Sequence, residues 1–85
     1  MPYMKRVYLD HAAATPVTRT AERAFRRALS AYGNPSSPHA EGQEAKWILE
    51  DARTRIARLT EAKPEHVYLT SGATEANNIA IQGVI

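Results

Sequence analysis

The residues best suited to chemistry lie near the end of the chain, in "HVYLTSGATEANN", residues 66–78. A β-branched and aromatic run gives way there to Ser71, Gly72, Ala73 and Thr74, and a helical pattern follows. A strand that turns through glycine into a helix aims several backbone N–H groups at one point, and the aligned peptide dipoles make that point favourable for an anion. Gly72 allows close approach, and the Thr74 hydroxyl is able to donate to a phosphate oxygen. A phosphate monoester is the natural occupant, held without lysine or arginine. The same Ser, Gly and Thr also satisfy plain helix capping, so spacing alone leaves both readings open. Neither the Gly-x-x-x-x-Gly-Lys-Ser/Thr spacing of a nucleotide P-loop nor Gly-x-Gly-x-x-Gly occurs.

Other reactive side chains offer less. The absence of cysteine excludes a disulfide framework, a thiolate zinc site and a cysteine nucleophile within these residues. His11, His39 and His66 are too irregularly spaced for a helical metal pair and match no ligand pattern, so no metal site is expected. Lys5, Lys46 and Lys63 read as solvated side chains, Asp10 as a loop cap, and Asp51 as half of a helix-surface ion pair. Trp47 and the tyrosines read as core or interface anchors rather than a stacking platform.

The elements that must position the Gly72 turn are few. Eighty-five residues make at most one small domain, which buries roughly 60 to 65% of its unfolded surface. At 44% hydrophobic and 24% charged, the chain has the composition of a folded protein. Its 11 basic and 9 acidic residues are scattered along helices, giving a net charge of +2 that argues for a solvated surface and against nucleic-acid binding. No stretch has signal-peptide or membrane-spanning character, and a cytoplasmic protein with no membrane partner is the expectation.

Residues 6–10 read as a short strand entering the small-residue loop HAAATP. Thr15-Pro16 then opens a helix over about 17–32, with Ala21, Ala24, Phe25, Ala28, Leu29 and Tyr32 on one stripe and Gly33 ending it. GNPSSPHAEG is a loop. A second helix begins near Pro38 and ends before Pro64, about 22 residues or ~33 Å long. Ala45, Ile48, Leu49, Ala52, Ile56 and Leu59 form its stripe, and Glu50 with Arg53 and Asp51 with Arg55 form weak pairs. After the turn EAKPE, residues 66–70 read as a buried strand, and a third helix follows, capped by Ser71 or Thr74. A helix as long as the second cannot bury its stripe against one short strand and one short helix, which implies partner surface outside these residues.

Three blocks in order and register, "VYLDHAAATPV", "YGNPSSPHAEGQEA" and "VYLTSGATEANNIAIQG", resemble the amino-terminal portion of a NifS/IscS-type cysteine desulfurase, a class V aminotransferase-like enzyme dependent on pyridoxal phosphate. The resemblance covers nearly the whole chain. It implies an α/β fold class: the amino-terminal fragment of the type I pyridoxal phosphate-dependent transferase fold, an incomplete sheet with long helices. Residues 1–15 would belong to the small domain, and residues 16–85 would begin the large cofactor-binding domain. The implied reaction takes sulfur from L-cysteine, leaving alanine and an enzyme persulfide whose sulfur passes to an acceptor or scaffold protein in iron–sulfur cluster assembly or thiolation. Family members are usually homodimers.

Position by position, the resemblance implies that Ala73 and Thr74 hold the phosphate of pyridoxal 5'-phosphate while Gly72 shapes the approach. It further implies that His11, Ala12 and Ala13 lie on the substrate side of the cofactor, and that Asn34 to Ser37 lie near the active-site entrance and the dimer contact. Ala14 stands where the family frequently has threonine. The Schiff-base lysine and the persulfide cysteine are expected in a carboxy-terminal portion, without which this chain would be inactive and carry no catalytic residue. A second reading from another class is a non-catalytic interaction or oligomerisation module derived from the same fold.

Overall fold

A computed structural model of the chain describes residues 4–85; the first three residues of the expected small-domain segment lie outside them. The described residues divide into two units, one ending at Ser30 and one running from Ala31 to Ile85.

The first unit is a turn followed by one helix. The Asp10 carbonyl accepts from the amides of Ala13 (3.0 Å) and Ala14 (3.3 Å), so the backbone of Asp10, not its side chain, closes the turn. Helix α1 spans Arg19–Ala28, inside the expected 17–32. Its cap is Thr18, whose Oγ1 accepts from the Ala21 amide at 3.1 Å. Thr15 and Pro16 therefore precede the helix. At the other end, Ser30 donates through both its amide (3.3 Å) and its Oγ (2.8 Å) to the Arg27 carbonyl. That local competition ends the α-helical ladder before Gly33 is reached. Arg26 pairs with Glu22 at 3.0 Å, and no residue of α1 is buried.

The second unit is built on helix α2, Ala40–Leu59, which lies within the span expected from its apolar stripe. Glu50 with Arg53 (3.2 Å) and Asp51 with Arg55 (2.9 Å) form the pairs the spacing suggested. Its end is a Schellman motif: Glu61 takes a left-handed φ of 55°, its amide donates to the Arg58 carbonyl (3.4 Å), and the Ala62 amide donates to the Ala57 carbonyl (2.8 Å). The chain then turns back through a short 3-10 helix, Pro64–His66, packed on α2. Arg53 holds this return by donating to the Val67 carbonyl as well as to Glu50. Ala45 and Ala57 are the buried apolar residues of α2, with Ile48 and Leu49 half-buried. Helix α3 spans Ala73–Val84 and buries nothing.

The two expected strands are absent among the described residues. His66 belongs to the 3-10 turn, and residues 67–70, like 6–10, run without regular structure. Val67 has extended dihedrals, φ −100° and ψ 119°, but a strand also needs a neighbour for its N–H and C=O groups. Helices are the regular structure of the described residues, and the incomplete sheet is not seen among them.

Candidate functional site

The turn that opens α3 is organised by its own side chains, and they leave the helix end bare. Thr70 donates through Oγ1 to the Gly72 carbonyl at 3.0 Å. The Ser71 hydroxyl donates to Glu75 Oε2 at 2.9 Å, so it does not cap the backbone. Asn78 Nδ2 donates to the Thr74 carbonyl at 2.8 Å. The capping position belongs to Gly72, and no side chain caps α3. This corrects the expectation of Ser71 or Thr74 as the cap. Ser71 is engaged with Glu75, and Thr74 already lies inside the helix.

The first intrahelical bond runs from the Ala76 amide to the Gly72 carbonyl at 3.1 Å. The amides of Ala73, Thr74 and Glu75 precede it and point off the positive end of the helix dipole. Gly72 has φ 164° and ψ −175°, extended backbone open to any residue, and a Cβ built there meets nothing within 4 Å. Within this chain, then, neither backbone conformation nor packing demands glycine at 72. Uncapped amides at a helix start with open space over the capping residue are an arrangement that fits an anionic oxygen cluster such as a phosphate monoester. Glu75, the acidic residue of the first turn, has its carboxylate directed to Ser71.

The other expected site residues lie elsewhere. His11, Ala12 and Ala13 form the turn of the first unit. Tyr8 braces it, with its hydroxyl 2.9 Å from the carbonyl oxygens of both Asp10 and Ala14, and His11 meets the Tyr8 ring edge-to-face at a centroid distance of 5.0 Å. The contact to Ala14 uses a backbone carbonyl, so alanine at that position keeps it. A shallow apolar hollow lined by Tyr8, Ala14, Thr15 and Pro16 adjoins the turn.

Asn34 lies in the second unit, in the loop before α2. Its Oδ1 accepts from the Ser36 amide and its carbonyl from the Ser37 amide, both at 2.9 Å. The loop is pressed against the start of α2. A Cβ on Gly33 would overlap the Glu41 carbonyl, and a Cβ on Gly42 would overlap the Ser37 carbonyl oxygen and lie 2.8 Å from that of Asn34. Both glycines are required by this close approach. The cap of α2 is His39, whose Nδ1 accepts from the Gly42 amide at 3.1 Å. Sequence reasoning missed that role because histidine is not among the usual capping residues.

Gly72, Ala73 and Thr74 are brought together by one helix start, and His11 to Ala13 by one turn. Asn34 hydrogen-bonds within its own loop. Trp47 is 67% exposed, so it is not a core anchor among these residues. No group of three or more His, Asp or Glu able to hold a metal occurs among the described residues, nor does a helix long and apolar enough to cross a membrane.

The family model described as "Aminotransferase class-V" matches residues 7–85. The chain is 49% identical over 80 residues to a cysteine desulfurase of Frankia sp. (strain EuIK1), covering 93% of this chain and 19% of that protein. It is 47% identical over 83 residues to the cysteine desulfurase IscS of Dictyoglomus turgidum, covering 95% and 21%. It is 40% identical over 82 residues to a selenocysteine lyase of Homo sapiens, covering 95% and 18%. The chain therefore spans about a fifth of the length of the curated relatives it matches. No solved structure matches it.

Proposed function

The chain belongs to the aminotransferase class-V family, and we propose that it is part of a pyridoxal 5'-phosphate-dependent cysteine desulfurase and supplies one wall of the cofactor's phosphate site. The higher identity to proteins named cysteine desulfurase than to those named selenocysteine lyase supports the choice of L-cysteine as substrate. The observation that carries the site is the bare start of α3: no side chain caps it, and the space above Gly72 is open.

In this reading the amides of Ala73 and Thr74 and the Thr74 hydroxyl donate to phosphate oxygens, and Gly72 lets them approach. When bound, pyridoxal phosphate supplies the electron sink for bond breaking at the amino acid's carbon skeleton. The chain's own contribution is to anchor and orient. Holding the phosphate at a helix start would fix the position of the cofactor, the kind of positioning that turns binding into rate. His11, Ala12 and Ala13 lie toward the substrate, and Asn34 to Ser37 border its entrance. Residues 1–15 belong to the small domain, and 16–85 begin the large one.

The remainder of the enzyme carries the Schiff-base lysine and the thiol that accepts sulfur. One L-cysteine and one enzyme thiol yield one alanine and one persulfide, which serves an acceptor or scaffold protein. The assembly is a cytoplasmic homodimer. The exposed side chains of α1, with Phe25 65% and Leu29 64% accessible, are consistent with burial against that remainder.

Titration of the apoenzyme containing this chain with pyridoxal phosphate tests the reading. Thr74→Val removes a hydroxyl at nearly constant volume, and loss of a hydrogen bond to a charged group weakens affinity by roughly ten- to a hundredfold, with the far-ultraviolet spectrum unchanged. Equal affinity in the variant refutes the phosphate wall. A chain that never yields cofactor binding with its remaining polypeptide, yet forms a defined oligomer, supports the interaction module instead.

A further inference from the structure

Position 8 carries a hydroxyl that ties together the two ends of the turn it precedes. Tyr8 Oη lies 2.9 Å from the carbonyl oxygens of both Asp10 and Ala14, and a phenol has one proton to give. The Asp10 oxygen already accepts from the amides of Ala13 and Ala14, whereas no backbone amide among the described residues donates to the Ala14 oxygen. Ala14 is therefore the freer acceptor. A bond there, six residues on, closes the turn from outside while the Asp10 carbonyl closes it from within.

The ring of the same side chain reaches the turn's own side chain. Tyr8 and His11 meet edge-to-face, with ring planes at 87° and centroids 5.0 Å apart, an arrangement that aromatic rings favour for its direction as well as its contact area. We propose that Tyr8 is a positioning residue for His11: its hydroxyl fixes the backbone of the 10–14 turn and its ring fixes the imidazole. The inference rests on the reading that places His11 toward the substrate.

Tyr8→Phe separates the two contacts. It keeps the ring and removes the tie to Ala14, leaving the turn to the two amide bonds on Asp10. The imidazole must then be ordered when substrate binds. That cost is common to the bound substrate and the transition state, so it raises KM and leaves kcat unchanged. Gly72 to Thr74 belong to the other unit, and cofactor affinity stays level, which a general loss of folding would not allow.

The test is steady-state kinetics of the enzyme containing this chain, with L-cysteine as substrate and released alanine as the signal. Tyr8→Phe is expected to raise KM by about two- to tenfold, the range of one lost hydrogen bond, at unchanged kcat and unchanged affinity for pyridoxal phosphate. His11→Ala should raise KM at least as much, and the double variant should be no worse than His11→Ala, because Tyr8 acts through the imidazole. An unchanged KM in Tyr8→Phe, a matching fall in its cofactor affinity, or an effect that adds in full to that of His11→Ala each overturns the proposal. If neither single variant moves KM while Thr74→Val still weakens cofactor binding, this inference fails and the phosphate wall stands. If Thr74→Val has no effect while the Tyr8–His11 coupling holds, the phosphate wall fails and this inference stands.

Discussion

Replacing Gly42 with alanine sets two physical effects against each other. Within a helix, Gly→Ala ordinarily stabilises by roughly 0.5–1 kcal/mol because glycine is the more flexible in the unfolded chain. At Gly42 the added Cβ would overlap the Ser37 carbonyl oxygen and stand 2.8 Å from the Asn34 oxygen. Those are backbone atoms, which cannot swing aside as a side-chain tip does. Forcing extra volume into such a contact costs about 1–3 kcal/mol, so the net change is a destabilisation of up to about 2.5 kcal/mol. Gly83, on α3, is the control: a Cβ there meets nothing within 4 Å, and Gly83→Ala should be neutral or mildly stabilising. With a urea m-value of about 1 kcal/mol/M, Gly42→Ala should lower the midpoint of helical circular dichroism by up to about 2.5 M, while Gly83→Ala leaves it in place or raises it. Gly33→Ala adds a neighbouring overlap, with the Glu41 carbonyl, to the same loop–helix approach, so the double variant should depart from the sum of the singles. If Gly42→Ala stabilises the chain as Gly83→Ala does, the loop is not packed on α2 as described.

Three further outcomes follow from other contacts. Glu61→Gly removes a side chain from a left-handed residue at φ 55° and should stabilise α2 by about 1 kcal/mol, read as a higher urea midpoint; a lower midpoint contradicts the Schellman assignment. Arg53→Ala removes the donor to the Val67 carbonyl and the partner of Glu50, and a loss of about 1–2 kcal/mol should appear as faster limited proteolysis between residues 60 and 72, with undiminished resistance counting against the tether. Thr18→Ala removes the side-chain cap of α1 at a cost of about 1 kcal/mol, visible as reduced helicity, and an unchanged spectrum would show that α1 does not depend on it.

Helices were legible where periodicity and local chemistry agree. The stripe from Ala45 to Leu59 defined α2, and Pro64 marked a limit that the helix stops short of. Boundaries were less legible because they turn on single hydrogen bonds: Thr18 caps α1 although Thr15-Pro16 has the stronger sequence signature, and Ser30 ends it ahead of Gly33. The Glu61 motif was hidden because its usual marker is glycine. Val7–Leu9 and Val67–Leu69 have strand composition without a ladder, since β propensity expresses a fit to neighbouring strands more than a preference of the chain itself. Of the candidate site, the helix start after Gly72 was readable from the order of residue types. What sequence could not supply was that Ser71 turns to Glu75 and leaves the helix start uncapped.

The central claim is that the start of α3 grips the phosphate of pyridoxal 5'-phosphate, and a crystal structure of the holoenzyme containing this chain tests it most directly. The account predicts phosphate oxygens within hydrogen-bond distance, about 2.7–3.2 Å, of the Ala73 and Thr74 amides and the Thr74 hydroxyl, over an unobstructed Gly72. A cofactor phosphate held by other residues, with the first turn of α3 facing solvent or protein, would contradict it.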